Sequence, residues 1–389
     1  MNGKVAISSS KPARLNWIDY ARGIAIILVA YRHVFEGAKQ SGIDVDRYKM
    51  LEYANIFFYS FRMPLFFIVS GIFISFSVKK LGAKGYVGGR LRTIMYPYFV
   101  WGCLQLLLQM IFAKYSNGQP DPASFLHMFY LPRELAQFWY LYALFSVSML
   151  YLLCRFILKL PLIVNLIIGL GLFYLSSLLY QDVLPASFLM DALHHSFLFD
   201  LFHYYIFFVI GDSLGKFLLS PKFKLVASDG RNLLMLLVAF LILQTYFLWA
   251  NLSHTAAKFM YVEFYQPFVF IIIALVGCSF MAFLTCWMDK RGLMKWLITL
   301  GKYSLYIYVA HVIVFAAVRT VMTKVFDVDD ALVIIGSGML FGIIVPVYLY
   351  RIADRFNMRW LFTLEKRGPS TENKRLMTEP VTTIQKEKS

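Results

Sequence analysis

The chain of 389 residues is too apolar for a soluble protein, because 59% of its residues are hydrophobic, 18% are aromatic and only 15% are charged. The apolar residues fall in long blocks, close to the roughly 20 residues that a transmembrane helix needs. The formal net charge of +16 indicates a biased membrane topology and contact with anionic lipid of the bilayer, and we expect no nucleic-acid partner.

Ten apolar blocks, separated by charged residues or by Pro and Gly, predict an all-α integral membrane protein built as a bundle of about ten transmembrane helices. No connection is long enough for a soluble domain. We expect one polytopic transmembrane domain over residues 1–350 and a cytoplasmic, disordered tail over 351–389, where the sequence is polar and rich in turn residues. The predicted spans are 16–35, 51–78, 93–113, 136–153, 161–180, 196–215, 232–250, 264–287, 301–323 and 331–350.

The distribution of Lys and Arg predicts the orientation of these spans. With the N-terminus in the cytoplasm, 27 of the 38 Lys and Arg residues lie on the inner side and 8 lie on the outer side, while Arg22, Arg32 and Arg62 lie within spans. Cytoplasmic connections of membrane proteins carry an excess of positive charge. We therefore expect a multi-pass protein of the cell inner (plasma) membrane with both termini in the cytoplasm.

The first predicted span contains Arg22 and His33 in the segment "RGIAIILVAYRH". At about 100° per residue, eleven positions amount to three turns plus roughly 20°, so both side chains share one helix face and lie about 16 Å apart along the axis. Ionisable residues inside a membrane usually face a bundle interior or a wet cavity. The pair therefore favours a functional site over the alternative in which each residue simply reaches the nearer interface.

This spacing resembles the signature of the acyltransferase 3 family of integral-membrane acyltransferases, in which an Arg and a His are separated by ten residues in the first transmembrane helix. Four further segments are similar to the family, in the same order. They are "FRMPLFFIVSGIF" at 61–73, "RLRTIMYPYF" at 90–99, "FWYLYALF" at 138–145 and "YSLYIYVAH" at 303–311. The resemblance extends over about 300 residues and implies a ten-helix enzyme.

The resemblance implies transfer of an acyl group, often acetyl, from a cytoplasmic acyl-CoA to a hydroxyl of a carbohydrate, a lipid-linked glycan or another cell-envelope acceptor, with no bound cofactor. Attack of a hydroxyl on a thioester needs a base that is neutral near the working pH, and His33 is our candidate. The developing oxyanion or the donor phosphates need fixed positive charge, which Arg22 or Arg62 could supply. We expect His33 and Arg22 to be catalytic, and Arg62, Arg90 and Arg92 to bind the donor.

Several connections could hold the substrates. The predicted inner connection "KKLGAKGYVGGRLR" combines five basic residues with four glycines, so its backbone amides and arginines could bind the nucleotide end of CoA, although cytoplasmic connections are commonly basic. The outer connections "EGAKQSGIDVDRYKMLE", "KYSNGQPDPASFLHMFYLPREL" and "YQDVLPASFLMDALHHS" could form a rim for a sugar-like acceptor or belong to an interfacial aromatic belt.

Other titratable residues have both a functional and a structural interpretation. Asp200 and His203, spaced i, i+3, could bind the acceptor or form a second dyad, or they could be a buried hydrogen-bonded pair between helices. His311 lies in a segment that is similar to the family, and either a site role or a structural role suits it. Glu36 could orient His33 or pair with Arg32, so it stays outside the expected catalytic set. No spacing of His, Cys, Asp and Glu predicts a metal site.

Two other functions are compatible with the sequence. A transporter or flippase of an envelope glycan or lipid precursor would use Arg22, Arg62 and His311 to line a substrate path. Internal repeats and paired helices broken by Pro and Gly are typical of that class, and we find neither in this sequence. A sensor or assembly factor is the second alternative. The main prediction is a membrane O-acyltransferase.

Overall fold

A computed structural model of the chain describes residues 15–181, 183, 193, 196–254 and 260–364. These residues form helices without any strand or soluble domain, and nine of the helical segments are long and apolar enough to cross a membrane. The predicted all-α membrane bundle is thus confirmed, and the chain is a multi-pass membrane protein. The nine segments are Asp46–Ile72, Ile74–Ile111, Pro132–Ile157, Leu162–Tyr180, Phe197–Leu218, Gly230–Ser253, Pro267–Arg291, Ser304–Lys324 and Ala331–Arg355.

The first predicted span also forms a helix, Asn16–Gln40, of 25 residues, which corresponds to a length of roughly 37 Å. It carries five charged residues and is therefore less apolar than the nine segments above. Buried side chains nevertheless occur along its whole length, because helices from the C-terminal half of the chain surround it. Those helices are Pro267–Arg291, Trp296–Lys302, Ser304–Lys324 and Ala331–Arg355. The first helix therefore lies inside the bundle despite its five charged residues.

Glycines allow two helices of the bundle to pack backbone against backbone. A Cβ atom on Gly71 would overlap the carbonyl oxygen of Phe208, and one on Gly211 would overlap that of Ile68. Small residues at such crossings are typical of membrane helices, whose association depends on close van der Waals packing. This contact holds the Tyr59–Ile72 helix against the Phe197–Leu218 helix. It thereby positions Ser70, which lines one of the two cavities described below.

The glycine-rich segment that the sequence predicts as a connection is helical instead. The helix Ile74–Arg90 is bent at Gly82, whose φ of 69° lies in the left-handed region that favours glycine. A π-helical turn, Leu91–Met95, joins it to the helix Tyr96–Ile111. Most amide groups of this segment are therefore used by the helix, and the expected loop that would surround a phosphate with its glycine amides is not formed.

The predicted tail begins too early. The last long helix continues to Arg355, and the turn Arg359–Leu361 folds back onto the bundle. There the indole of Trp101 donates to the carbonyl oxygen of Leu361 at 2.7 Å, and the ring of Phe362 lies 5.1 Å from the Trp101 ring. Residues 351–364 therefore belong to the folded bundle, and the remainder of the predicted tail lies outside the described residues.

Candidate active site

A large cavity lies beside the C-terminal half of the first helix, and we call it the His33 cavity. Its volume is about 790 Å³, within the range of roughly 300 to 1,000 Å³ that is typical of small-molecule sites. It lies between the first helix, the Tyr96–Ile111 and Ser304–Lys324 helices and residues 115–139. The lining side chains that can form hydrogen bonds include Arg32, His33, Glu36, Gln40, Gln105, Gln109, Ser116, Asn117, Arg133, Glu134, Trp139, Arg319 and Thr320.

One wall of this cavity is tied to the first helix by hydrogen bonds. Asn117 donates to the carbonyl oxygen of Gly37 at 2.9 Å, and Arg319 donates to the same oxygen at 3.0 Å. Arg319 also donates to the carbonyl oxygen of Tyr115 at 3.0 Å. Two of the three connections that we expected to form an acceptor rim, 36–52 and 114–135, thus contribute to the cavity. Most of the third, 180–196, lies outside the described residues.

His33 is half-buried at the cavity wall and lies in ring contact with His311. The two ring centroids are 5.3 Å apart, with an angle of 57° between the planes. His311 is completely buried, and its Nδ1 lies 3.0 Å from the carbonyl oxygen of Ile307 and 2.8 Å from that of Tyr308. The structure therefore brings together two histidines that the sequence places in helices far apart along the chain.

A smaller cavity, the Arg22 cavity, lies towards the N-terminal end of the first helix. Its volume is about 260 Å³. Arg22 lines it together with Arg90, whose Nε donates to the hydroxyl of Tyr86 at 2.9 Å and whose guanidinium carbon lies 5.0 Å from the centre of the Tyr86 ring. The remaining lining residues are Ser70, Phe73, Ser77, Leu81, Gly89 and Thr93. Two arginines from different helices thus meet in one cavity, as a site for a negatively charged or polar ligand requires.

Arg92 has a different position from Arg90. Its side chain is exposed and does not line the Arg22 cavity. Arg90 is the last residue of the Ile74–Arg90 helix, and Arg92 lies in the π turn that follows. Residues two positions apart in a helical segment point to different sides of it. Of the three arginines that we predicted to bind the donor, Arg62, Arg90 and Arg92, only Arg90 lines the cavity that contains Arg22.

A series of ring contacts connects the helix that bears Ser70 with His311. The ring of Tyr140 lies 5.3 Å from that of Phe67, which precedes Ser70 by one helical turn, and 5.5 Å from that of Tyr308. The Tyr308 ring in turn lies 6.0 Å from that of His311. Aromatic side chains therefore lie between the helix that lines the Arg22 cavity and the histidine beside His33.

Arg62 lines neither of these two cavities. It is buried, and it donates to the side-chain oxygen of Asn55 at 3.1 Å and to the carbonyl oxygen of Leu28 at 3.2 Å. Asn55 donates in turn to Glu36 at 3.0 Å. Arg62 thus joins the first helix to the segment that follows it, and Glu36 hydrogen-bonds Asn55 at the edge of the His33 cavity.

Asp200 and His203 are both buried, but they do not pair with each other. Arg133 donates to Asp200 with two nitrogens, at 2.6 Å from Nη2 and 3.1 Å from Nε. The Nε2 of His203 lies 3.1 Å from a carboxylate oxygen of Glu263, and its Nδ1 lies 3.1 Å from the hydroxyl of Ser176. Neither residue lines the His33 cavity or the Arg22 cavity, so the geometry agrees with contacts between helices rather than with a second dyad.

Gln137 and the strained residue before it have no recognisable signal in the sequence. Gln137 is completely buried, donates to Gln105 at 2.7 Å and accepts a hydrogen bond from the Tyr308 hydroxyl on its carbonyl oxygen. Ala136 lines the His33 cavity with a φ of 50°, a conformation that costs a non-glycine residue roughly 1 to 3 kcal/mol. A single Ala or Gln at the start of the predicted span 136–153 gives no periodic signal, so only the folded chain reveals this feature.

The comparison with family models agrees with this geometry. The model of an acyltransferase domain matches residues 15–351, a range that contains all residues lining both cavities. Comparison with curated proteins and with solved structures gives no match. The family match covers most of the chain, and it confirms the resemblance that begins with Arg22 and His33. The chain belongs to the acyltransferase 3 family of integral-membrane acyltransferases.

Proposed function

We propose that the protein is an O-acyltransferase of the cell inner membrane that moves an acyl group, specifically acetyl, from cytoplasmic acetyl-CoA to a hydroxyl of a carbohydrate or another envelope acceptor. The observation that carries this proposal is that one helix lines both cavities, with Arg22 in the smaller and His33 in the larger. Because the two residues lie about 16 Å apart along the helix axis, donor and acceptor can approach the same helix from opposite sides of the membrane.

The Arg22 cavity is suited to the donor. Its two arginines provide fixed positive charge. Because its volume of about 260 Å³ lies below the roughly 300 to 1,000 Å³ that is typical of small-molecule sites, we assign only the thioester-bearing arm of CoA to it. The nucleotide would remain outside, beside the exposed Lys79, Lys80 and Lys84 of the Ile74–Arg90 helix. The predicted topology places this end of the first helix at the cytoplasm, where acyl-CoA is available.

The His33 cavity is suited to the acceptor. Its lining combines an indole, amides and charged side chains, which are groups that hydrogen-bond or stack with sugars. We infer that the thioester reaches His33 past the rings of Tyr140 and Tyr308, which link Phe67 to His311 by ring contacts. On this proposal transfer takes place near His33, at the point where the two substrates meet.

The reaction needs a base for the acceptor hydroxyl. Neutral His33 takes the proton of the acceptor hydroxyl, and the oxygen attacks the thioester carbonyl. The carbon–sulfur bond then breaks, the ester forms, and the CoA thiolate receives the proton from His33. No net proton is consumed, so His33 returns to its neutral form after each turnover.

The test is transfer of labelled acetyl from acetyl-CoA by the purified protein in lipid vesicles. The acceptor is the envelope glycan, free or lipid-linked, extracted from a strain that lacks the gene. We expect label in the glycan, an equal amount of free CoA thiol, and loss of both with His33→Ala at matched amounts of monodisperse protein. If neither form of the glycan is labelled, and glycans of the deletion strain have the same mass as those of the parent, the proposal is wrong.

A further inference from the structure

We propose that His311 is a positioning residue for His33. Its Nε2, which has no hydrogen-bond partner within the described part of the chain, accepts a hydrogen bond from the second ring nitrogen of His33 once His33 takes the acceptor proton. It thereby stabilises the imidazolium. This inference rests on the proposed function, in which His33 is the base. It assigns a role to a buried side chain that does not line the cavity and cannot contact the acceptor directly.

The hydrogen bonds of His311 fix its tautomer. Its Nδ1 faces the carbonyl oxygens of Ile307 and Tyr308 at 3.0 Å and 2.8 Å. A carbonyl oxygen only accepts hydrogen bonds, so Nδ1 must carry the hydrogen, and the neutral ring presents a lone pair on Nε2. The helix backbone thereby orients the ring and leaves one acceptor.

That acceptor has no partner of its own. The Nε2 of His311 is buried and makes no hydrogen bond among the residues that the structure describes. Buried polar atoms are rarely left without a partner, so this one needs an explanation. The Tyr308 hydroxyl is excluded as the partner because it donates to the carbonyl oxygen of Gln137.

His33 is the remaining ring beside His311, with centroids 5.3 Å apart. The charged groups near His33 are Arg32 and Glu36 on its own helix, Arg62 from the Tyr59–Ile72 helix, and Arg133, Glu134 and Arg319, which line the same cavity. Since four of these six groups are cations, a positive charge on His33 is unfavourable unless an acceptor stabilises it. A neutral imidazole supplies that acceptor without adding a buried carboxylate, which would need a cation of its own.

His311 acts through His33 in this scheme, and the proton balance of the reaction is unchanged. When His33 takes the proton of the hydroxyl on one ring nitrogen, its other N–H donates to the Nε2 of His311. When the CoA thiolate takes the proton back, this hydrogen bond weakens again. His311 remains neutral throughout, so it lowers the energy of the charged state of His33 and neither gains nor loses a proton.

The experiment compares three substitutions of His311 in the purified, lipid-embedded protein. His311→Leu removes the acceptor, and His311→Asn can still donate to the helix backbone but is too short to reach His33. His311→Gln is long enough to bring an amide oxygen to the position of Nε2. We expect kcat to fall about tenfold or more for Leu and Asn, to recover at least threefold from those values with Gln, and KM for acetyl-CoA to stay within about twofold.

Two controls separate a positioning role from a structural one. His254 has the same bond from Nδ1 to the carbonyl oxygen four residues earlier, at 2.8 Å from Ala250, but lines neither cavity, so His254→Leu should leave kcat unchanged. Combining His311→Asn with His33→Ala should cause no further loss beyond His33→Ala, because residues that act as a unit are not additive.

The outcomes distinguish the inference from the proposed function. If His33→Ala abolishes transfer while both His311→Leu and His311→Asn stay within about twofold of wild type, the positioning role is wrong and the base assignment stands. The positioning role is likewise wrong if Gln and Asn reduce kcat equally in folded protein. If His33→Ala itself retains activity, the assignment of His33 as the base fails first.

Discussion

Arg133 and Asp200, 67 positions apart, form a bidentate ion pair in which the carboxylate is completely buried and the guanidinium is partly exposed at the His33 cavity. The Arg133 guanidinium also lies over the ring of Trp139, at 5.3 Å from the ring centre. The pair therefore links the wall of the larger cavity to the Phe197–Leu218 helix. Because the two side chains differ in burial, replacing one should affect stability more than replacing the other.

We expect Arg133→Gln to lower the free energy of unfolding more than Asp200→Asn does. The first change leaves a buried carboxylate without its cation, while the second leaves a cation that can reach water. The coupling between the two residues should be roughly 1 to 3 kcal/mol. A double-mutant cycle measured by denaturant unfolding in mixed micelles gives both quantities. Additive effects of the two substitutions would show that the pair contributes little to stability.

The positions of Arg90 and Arg92 predict different effects on donor binding. Arg90→Ala should raise the KM for acetyl-CoA about tenfold or more, because charge-assisted hydrogen bonds contribute roughly 1.5 to 3 kcal/mol. Arg92→Ala removes an equal charge from an exposed position outside the Arg22 cavity and should change KM less than about twofold. Initial rates at varied acetyl-CoA give the comparison, and equal effects of the two substitutions would contradict the assignment of this cavity to the donor.

Hydropathy alone predicts most of the fold, because long apolar blocks have no other stable place than the bilayer. Each of the ten predicted spans overlaps a helix of the structure. The common helix face of Arg22 and His33 also follows from their spacing, and the structure places each residue at a cavity. Periodicity within one helix is local information, so the sequence contains it directly.

Contacts between distant helices are not local, and the sequence analysis missed them. Nothing in the spacing of Arg133 and Asp200 indicates that they pair, and the i, i+3 spacing of Asp200 and His203 favoured a wrong partner. The π turn Leu91–Met95 that follows Arg90 has no signature in the apolar pattern either. The ring contact of His33 with His311 likewise depends on how two helices cross.

The close approach of the Tyr59–Ile72 and Phe197–Leu218 helices predicts that Gly71→Ala prevents folding or strongly destabilises the protein, because the added Cβ would overlap the carbonyl oxygen of Phe208. Gly336→Ala is the matched control, since nothing lies within 4 Å of a Cβ at that helical position. The control should be neutral or slightly stabilising, because alanine has the higher helix propensity. The yield of monodisperse protein and its thermal midpoint measure both effects, and equal midpoints would contradict the packing.

The charge bias of 27 to 8 predicts the orientation that the proposed function requires. Reporter fusions after residues 118 and 255 should report the outer side of the membrane, and fusions after residues 225 and 370 should report the cytoplasm. The inverted pattern would place the Arg22 cavity away from cytoplasmic acyl-CoA. In that case the assignment of donor and acceptor to the two cavities would be untenable.

The packing of Phe362 predicts where the chain can be shortened. Truncation after Leu364 keeps the hydrogen bond from Trp101 to Leu361 and the buried ring of Phe362, so we expect insertion and acyl transfer close to those of the full chain. Truncation after Arg355 removes both and exposes Trp101 and the neighbouring Tyr306, whose ring lies 5.2 Å from that of Phe362. Burial of a large aromatic side chain contributes roughly 1.5 to 3 kcal/mol, so the shorter protein should unfold at a lower temperature. The thermal midpoints of the two truncated proteins test this directly, and equal midpoints would show that residues 356–364 add no stability. Loss of activity in the protein truncated after Leu364 would show that the residues beyond it have a role.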